Sequence, residues 1–75
     1  MTGYEWLDAF ADHLGIERPE PAEIEALLDL AGVAAHDSER LAAPIAGWLL
    51  GRAGLDPEDA LNQARDLTAA GEPSP

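Results

Sequence analysis

The chain has no cysteine, and its 4 basic residues are all arginine. Without cysteine it can form neither a disulfide nor a thiolate-bound metal site. Its longest stretch without a charge, Leu41–Gly51, is much shorter than the about 20 apolar residues that a membrane-spanning helix needs. No basic and apolar signal-peptide pattern opens the sequence, so we expect a cytoplasmic protein.

Positive charge is scarce as well as scattered. Asp and Glu number 15 against 4 basic residues, for a formal net charge of −11. Nucleic-acid backbones and anionic membranes attract clustered positive charge, so we expect neither as a partner. The simplest role of the acidity is solubility, and docking to a basic partner is the alternative. At 47% hydrophobic residues, the chain has enough apolar surface to fold despite its charge.

Capping and breaking residues divide the chain into four helical segments, and no strand pattern lies between them. The predicted boundaries are Thr2 and Gly15, Pro21 and Asp37-Ser38, Glu39 and Ala53, and Asp56-Pro57 and Gly71. Short loops favour antiparallel neighbours. The sequence therefore predicts an all-α protein, a compact four-helix bundle formed by one domain over residues 1–71, with a disordered tail at 72–75.

The third segment has no polar face between Leu41 and Gly51. A helix that is apolar all round belongs in the middle of a bundle, so we expect this helix to be central. Its bulky side is predicted to be core, and comprises Leu41, Ile45, Trp48 and Leu49. Pro44 lies several residues inside the predicted helix and should kink or break it there.

The opposite side of the third helix is smooth and is the part that stays available to a partner. Arg40 marks it with a positive charge, which could instead pair with Asp37 or Asp29. Trp6 is expected to be half-exposed, and tryptophans of that kind are enriched at interfaces. His36 ends the second helix, where a histidine suits the helix dipole. The candidate partner-binding residues are Trp6, His36, Arg40, Pro44, Gly47 and Gly51.

Catalytic and metal-binding patterns are weak. His36, Asp29 and Glu25 share one helical stripe, but a single helix rarely supplies three metal ligands, and a solvated face explains them more simply. Ser38 is better explained as the cap of the third helix than as a nucleophile. We therefore expect no enzyme activity, no cofactor and no metal. An acyl-carrier-like protein that uses Ser38 remains an alternative, because carriers have Asp-Ser near mid-chain.

Several short stretches resemble a small helical family of unknown function from actinobacteria. They are LLDLA at 27–31, AAH at 34–36, ERLAAPI at 39–45 and LLGRAG at 49–54, with Trp6 and Leu14-Gly15 matching the family's opening. Leu41 replaces a frequent family proline, and Trp48 replaces a smaller or phenylalanine side chain. Members of this family occur alone or fused to molybdenum cofactor guanylyltransferase-like proteins.

The resemblance implies an accessory role near molybdopterin guanine dinucleotide synthesis, with a guanylyltransferase-type enzyme as the protein partner. The chain would then be a non-catalytic interaction domain. A homodimer or other homo-oligomer is the alternative, because so few large side chains could leave an apolar patch exposed.

Overall fold

Four α-helices form the chain over residues 1–71, the part that the computed structural model describes, and no strand occurs there. They are α1 (Gly3–Leu14), α2 (Pro21–Asp37), α3 (Ala42–Ala53) and α4 (Pro57–Gly71). The predicted all-α architecture is confirmed. The predicted tail at 72–75 lies outside the described residues. None of the described helices has the length and apolar character that spanning a membrane requires.

The predicted start of α1 is confirmed by a reciprocal pair of hydrogen bonds. The Glu5 backbone N–H donates to Thr2 Oγ1 at 3.1 Å, and the Thr2 N–H donates to Glu5 Oε1 at 2.8 Å. These bonds stabilise the charged carboxylate and lower the pKa of Glu5. Gly15 ends the helix at φ 73°, in the left-handed region that glycine adopts without strain. Both ends of α1 are therefore set by local sequence.

The start of α3 differs from the prediction. Ser38 caps the end of α2, where its Oγ donates to the Ala34 carbonyl at 2.6 Å, and does not open α3. A turn follows, and the helix begins at Ala42 with Leu41 as a cap that forms no side-chain bond. Pro44 then lies in the first turn, where backbone N–H groups have no helical acceptor. The proline sets where α3 starts, and no kink inside it is needed.

The buried core lies between α2, α3 and α4. It is formed by Leu30, Ala60 and Leu61, with Val33, Ala46, Leu50, Leu55 and Ala64 packed against it. Of the four helices it is α2 that packs against both α3 and α4. The central position predicted for α3 therefore belongs to α2, whose apolar residues cover a wide enough arc to contact two neighbours.

The bulky side of α3 is exposed, contrary to the prediction that it is core. Ile45 is 52% exposed, Trp48 is 59% exposed and Leu49 is 54% exposed. The side that faces α2 instead carries small residues and one leucine, namely Ala42, Ala43, Ala46 and Leu50. Alanines let two helix backbones approach closely. In a helical-wheel projection, an uncharged helix has two apolar sides. Only the packing of the neighbouring helices decides which of the two is buried.

Large side chains are also exposed at both ends of the chain. In α1 only Ala11 is buried, while Tyr4, Trp6, Leu7, Phe10 and Leu14 are exposed. Ile16 in the loop after α1 and Leu67 in α4 are largely exposed as well. Among the described helices, α1 has no neighbour packed against it as extensively as α2 packs against α3 and α4.

Candidate partner-binding surfaces

The first concave surface is a groove between α2, α3 and α4, with a volume of about 690 Å³. Its sides include Leu30, Val33, Leu41, Ile45, Leu49 and Leu67. Asp37 is the one charged residue that lines it, and the carboxylate of Asp37 accepts a hydrogen bond from the Thr68 hydroxyl. We call this surface the apolar groove. It can hold a hydrophobic ridge without burying more than one charge.

The second concave surface lies between α1, the loop after it, and the first turns of α2 and α4. It is an open cleft of about 1230 Å³. Apolar residues of α1 and α3 form two of its walls, namely Leu7, Phe10, Leu14, Pro44 and Gly47. Carboxylates surround it, from Glu17, Glu20, Glu23, Asp56 and Glu58. We call this surface the acidic cleft.

Arg18 is the single basic residue of the acidic cleft, and it is already paired. Its Nη2 and Nε donate to the two carboxylate oxygens of Asp12 at 2.7 Å and 3.0 Å. The hydrogen bond from Arg18 lowers the pKa of Asp12. This bidentate pair ties the loop to α1, and within residues 1–71 none of the surrounding carboxylates forms an ion pair. The cleft therefore presents a net negative edge around an apolar wall.

The structure brings some of the predicted site residues together. Pro44 and Gly47 line the acidic cleft. Trp6 lies next to it, since its ring centroid is 5.0 Å from that of Phe10, a wall residue. Gly51 is exposed on α3 and Arg40 is exposed in the turn before it, and neither lines a concave surface. His36 is exposed near the end of α2. Within residues 1–71 Arg40 forms no ion pair, so the local pairing considered for it is absent.

The smooth side of α3 has no neighbour in the described chain. A Cβ added at Gly47 or at Gly51 would meet no heavy atom within 4 Å. The small residues on this side therefore do not serve the close approach of another helix of the described chain. Trp48, predicted as a core anchor, stands beside them with the Arg52 guanidinium 4.9 Å from its ring centroid, within the range of a cation–π contact.

Sequence reasoning did not predict that the residues of the apolar groove lie at the surface. Leu41, Ile45 and Leu49 were assigned to the core because bulky residues usually are. The available signal was the absence of charge on every side of the helix. That absence predicts that the whole circumference of the helix is buried. The prediction is wrong because a small domain with α2 at its centre can bury only one side of α3.

The chemistry of the described residues stays simple. No group of three or more His, Asp and Glu side chains in residues 1–71 is arranged to hold a metal ion. Ser38 is exposed and bonded to its own helix at the C-terminal end of α2. In acyl carrier proteins the serine lies at the start of a helix. Ser38 does not lie at the start of a helix in this structure.

Comparison with known families adds one match. The model of a domain of unknown function, DUF6457, matches residues 2–74. The chain belongs to this family. The DUF6457 match covers all four helices, and therefore both the apolar groove and the acidic cleft. No curated protein and no solved structure matches the chain.

Proposed function

We propose that this DUF6457 domain is a non-catalytic docking module that binds a basic, apolar segment of a protein partner in the acidic cleft. The observation that carries the proposal is the combination of apolar walls with a surrounding set of carboxylates. Apolar walls supply affinity when they are covered, and opposite charge supplies orientation and a fast association rate. The cleft, in this role, needs no catalytic group and no cofactor.

The partner we propose is a guanylyltransferase-type enzyme of molybdenum cofactor biosynthesis, acting with this domain in the cytoplasm. The support is the resemblance of LLDLA, AAH, ERLAAPI and LLGRAG to a family that also occurs fused to such enzymes. A fused domain and a separate domain can use the same docking surface, because a fusion raises the local concentration without changing the contacts.

Calorimetric titration of the purified domain with the guanylyltransferase of the same organism tests the proposal. We expect binding in the micromolar range or tighter at about 50 mM salt, with at least a tenfold loss in Gly47→Leu. A Cβ at this position meets no heavy atom of the free domain within 4 Å, and the leucine would extend from the wall of the cleft. Gly32→Leu is the matched control, because Gly32 is also helical, exposed and open, and lines neither surface.

Salt gives a second measurement on the same pair. Attraction between a basic segment and the cleft carboxylates weakens as ionic strength rises, because exposed charges are screened over about 10 Å at 0.1 M. We expect affinity to fall between 50 and 500 mM salt. Absence of binding at 100 µM of each protein, or equal affinity of Gly47→Leu and Gly32→Leu, would contradict the proposal.

A further inference from the structure

We propose that the apolar groove binds a second copy of this chain. The two chains would form a symmetric dimer in which Leu41, Ile45 and Leu49 of each copy lie in the groove of the other. The surface involved is separate from the acidic cleft, so this inference does not rest on the docking function.

The first argument is the area that the single chain leaves uncovered. One chain exposes 5933 Å², whereas a folded monomer of 7.9 kDa should expose roughly 4,400 Å². An upper limit of about 600 Å² for residues 72–75 follows from the ~1.45 Å² per dalton of an unfolded chain. The excess that remains, about 900 Å², is spread over the whole chain, the exposed side chains of α1 included, and it leaves room for the ~800 Å² that each partner buries in a standard interface.

The second argument is the core that this area would complete. No side chain in the described part of the chain is completely buried, and three of the residues that form the buried set are alanines, Ala11, Ala26 and Ala60. Leu30 and Leu61 are the large members. Covering Ile45 and Leu49 by a second copy would bury the side chains that the single chain leaves in water.

The third argument is charge, which separates the two concave surfaces. Two copies at −11 each repel one another, so a contact between them must avoid carboxylates. The groove carries only Asp37, whereas the cleft carries five carboxylates, none of them in an ion pair within residues 1–71: Glu17, Glu20, Glu23, Asp56 and Glu58. A second copy therefore fits the groove, and a basic partner fits the cleft.

The fourth argument is shape. A two-fold interface brings the same patch of both chains together, so the patch must contain both a ridge and a hollow. Ile45 and Leu49 stand out from α3, Leu67 stands out from α4 at 74% exposure, and the groove runs between these two helices. Ridge and hollow lie side by side on one surface, which is the arrangement that self-association requires.

Sedimentation equilibrium of the full chain tests the dimer. We expect a mass of twice 7.9 kDa at 100 µM, and a mass of one chain for Ile45→Glu, since the new carboxylate would enter the partner's groove. Leu28→Glu is the matched control, because Leu28 is exposed and lines neither surface. It should remain dimeric. A monomeric wild-type chain at 100 µM, or equal masses for the two variants, overturns the proposal.

Cross-linking keeps the test independent of whether Ile45→Glu folds. Because the chain has no cysteine, Leu49→Cys provides the only thiol, and Leu28→Cys provides the matched control. With a short bis-maleimide at 20 µM protein, we expect at least tenfold faster formation of covalent dimer from Leu49→Cys. Equal rates overturn the proposal. Raising salt from 50 to 500 mM should strengthen the association, because it screens the repulsion between two acidic chains; weakening by salt would count against an interface free of charge.

Discussion

The two sides of α3 carry their residues in the reverse of the usual order. The inner side packs on α2 through Ala42, Ala43 and Ala46, with Leu50 as its one large residue, while Ile45 and Leu49 face outward. A helix that served only its own monomer would place its large side chains inward, because burial of apolar area is the main favourable contribution to folding. The reversal is the observation that the proposed dimer would explain.

The comparison also separates two uses of small residues. On the inner side, alanines let α2 and α3 approach. On the outer side, Gly47 and Gly51 have open space around them, and no contact within the described chain depends on their small size. Small residues therefore serve packing on one side, as alanines, and availability on the other, as glycines.

Loss of the core beneath α3 should have the largest effect. Leu30 is 6% exposed and belongs to the cluster on which the inner side rests. Leu30→Ala should lower the free energy of unfolding by about 2–5 kcal/mol, because it removes buried area and leaves a cavity. In a domain this small, that is a large part of the total. Urea unfolding followed by circular dichroism measures it, and a loss below 1 kcal/mol would show that the inner side is not the core.

A pair of neighbouring leucines tests the comparison directly. Leu50→Ala removes a partly buried side chain of the inner side and should lower the free energy of unfolding by about 1–3 kcal/mol at any protein concentration. Leu49→Ala changes the outer side and should stay within about 0.5 kcal/mol at low micromolar concentration. At 100 µM, Leu49→Ala should also remove the concentration dependence of the melting temperature. Equal losses at low concentration would contradict the difference between the sides.

Gly47→Ala should stabilise the chain by up to about 1 kcal/mol, since alanine favours the helix and its Cβ meets nothing within 4 Å. Gly54→Ala is the contrasting variant. Gly54 ends α3 at φ 68°, a conformation that side chains disfavour, so this change should destabilise the chain by roughly 1 kcal/mol. Thermal unfolding of both variants gives the signs. A loss of stability in Gly47→Ala would mean that another part of the molecule contacts the smooth side.

Acid should destabilise α1, because carboxylates of this helix lose their charge as the pH falls. The uncharged stretch of α3 has no titrating group, so acid should not act on it directly. The pKa of Glu5 is lowered from 4.5 by its bonds with Thr2, and that of Asp12 is lowered from 3.8 by Arg18. A lowered pKa in the folded state means stabilisation that is complete above the ordinary value and lost as pH falls through the lowered one. Carboxyl carbon NMR should show both pKa values below 4.5 and 3.8. Arg18→Gln should return the pKa of Asp12 toward its ordinary value, whereas Thr2→Ala should raise the pKa of Glu5 only in part, because the backbone N–H of residue 2 still donates to the Glu5 carboxylate. If the pKa values are unchanged in the variants, Thr2 and Arg18 are not the causes of the lowered pKa values.

Local signals predicted the helix ends well where a side chain makes the cap. Thr2 with Glu5, Gly15, and Pro21 are confirmed because their bonds and backbone angles involve residues at most five positions apart. The start of α3 was wrong, since Ser38 can cap either the helix before it or the helix after it. Pro44 favoured the later start, as a proline is tolerated in the first turn.

Which residues are buried could be predicted only in part. Ala60 and Leu61 of α4 are buried, whereas Leu67, an apolar residue of the same helix, is exposed. The reason is that Leu67 lines the apolar groove, which no described helix covers. A periodic pattern shows that a face exists, and it carries no information on how far a neighbour covers it.

By itself, the sequence determined four helices, their caps and an uncharged stretch from Leu41 to Gly51, because these depend on short-range bonds and on composition. The tertiary structure alone decided that α2 is central, that alanines line the inner side of α3 and that Ile45, Trp48 and Leu49 face water. Absence of charge is equally compatible with a core and with a surface that another chain covers. Only the positions of the neighbouring helices distinguish the two.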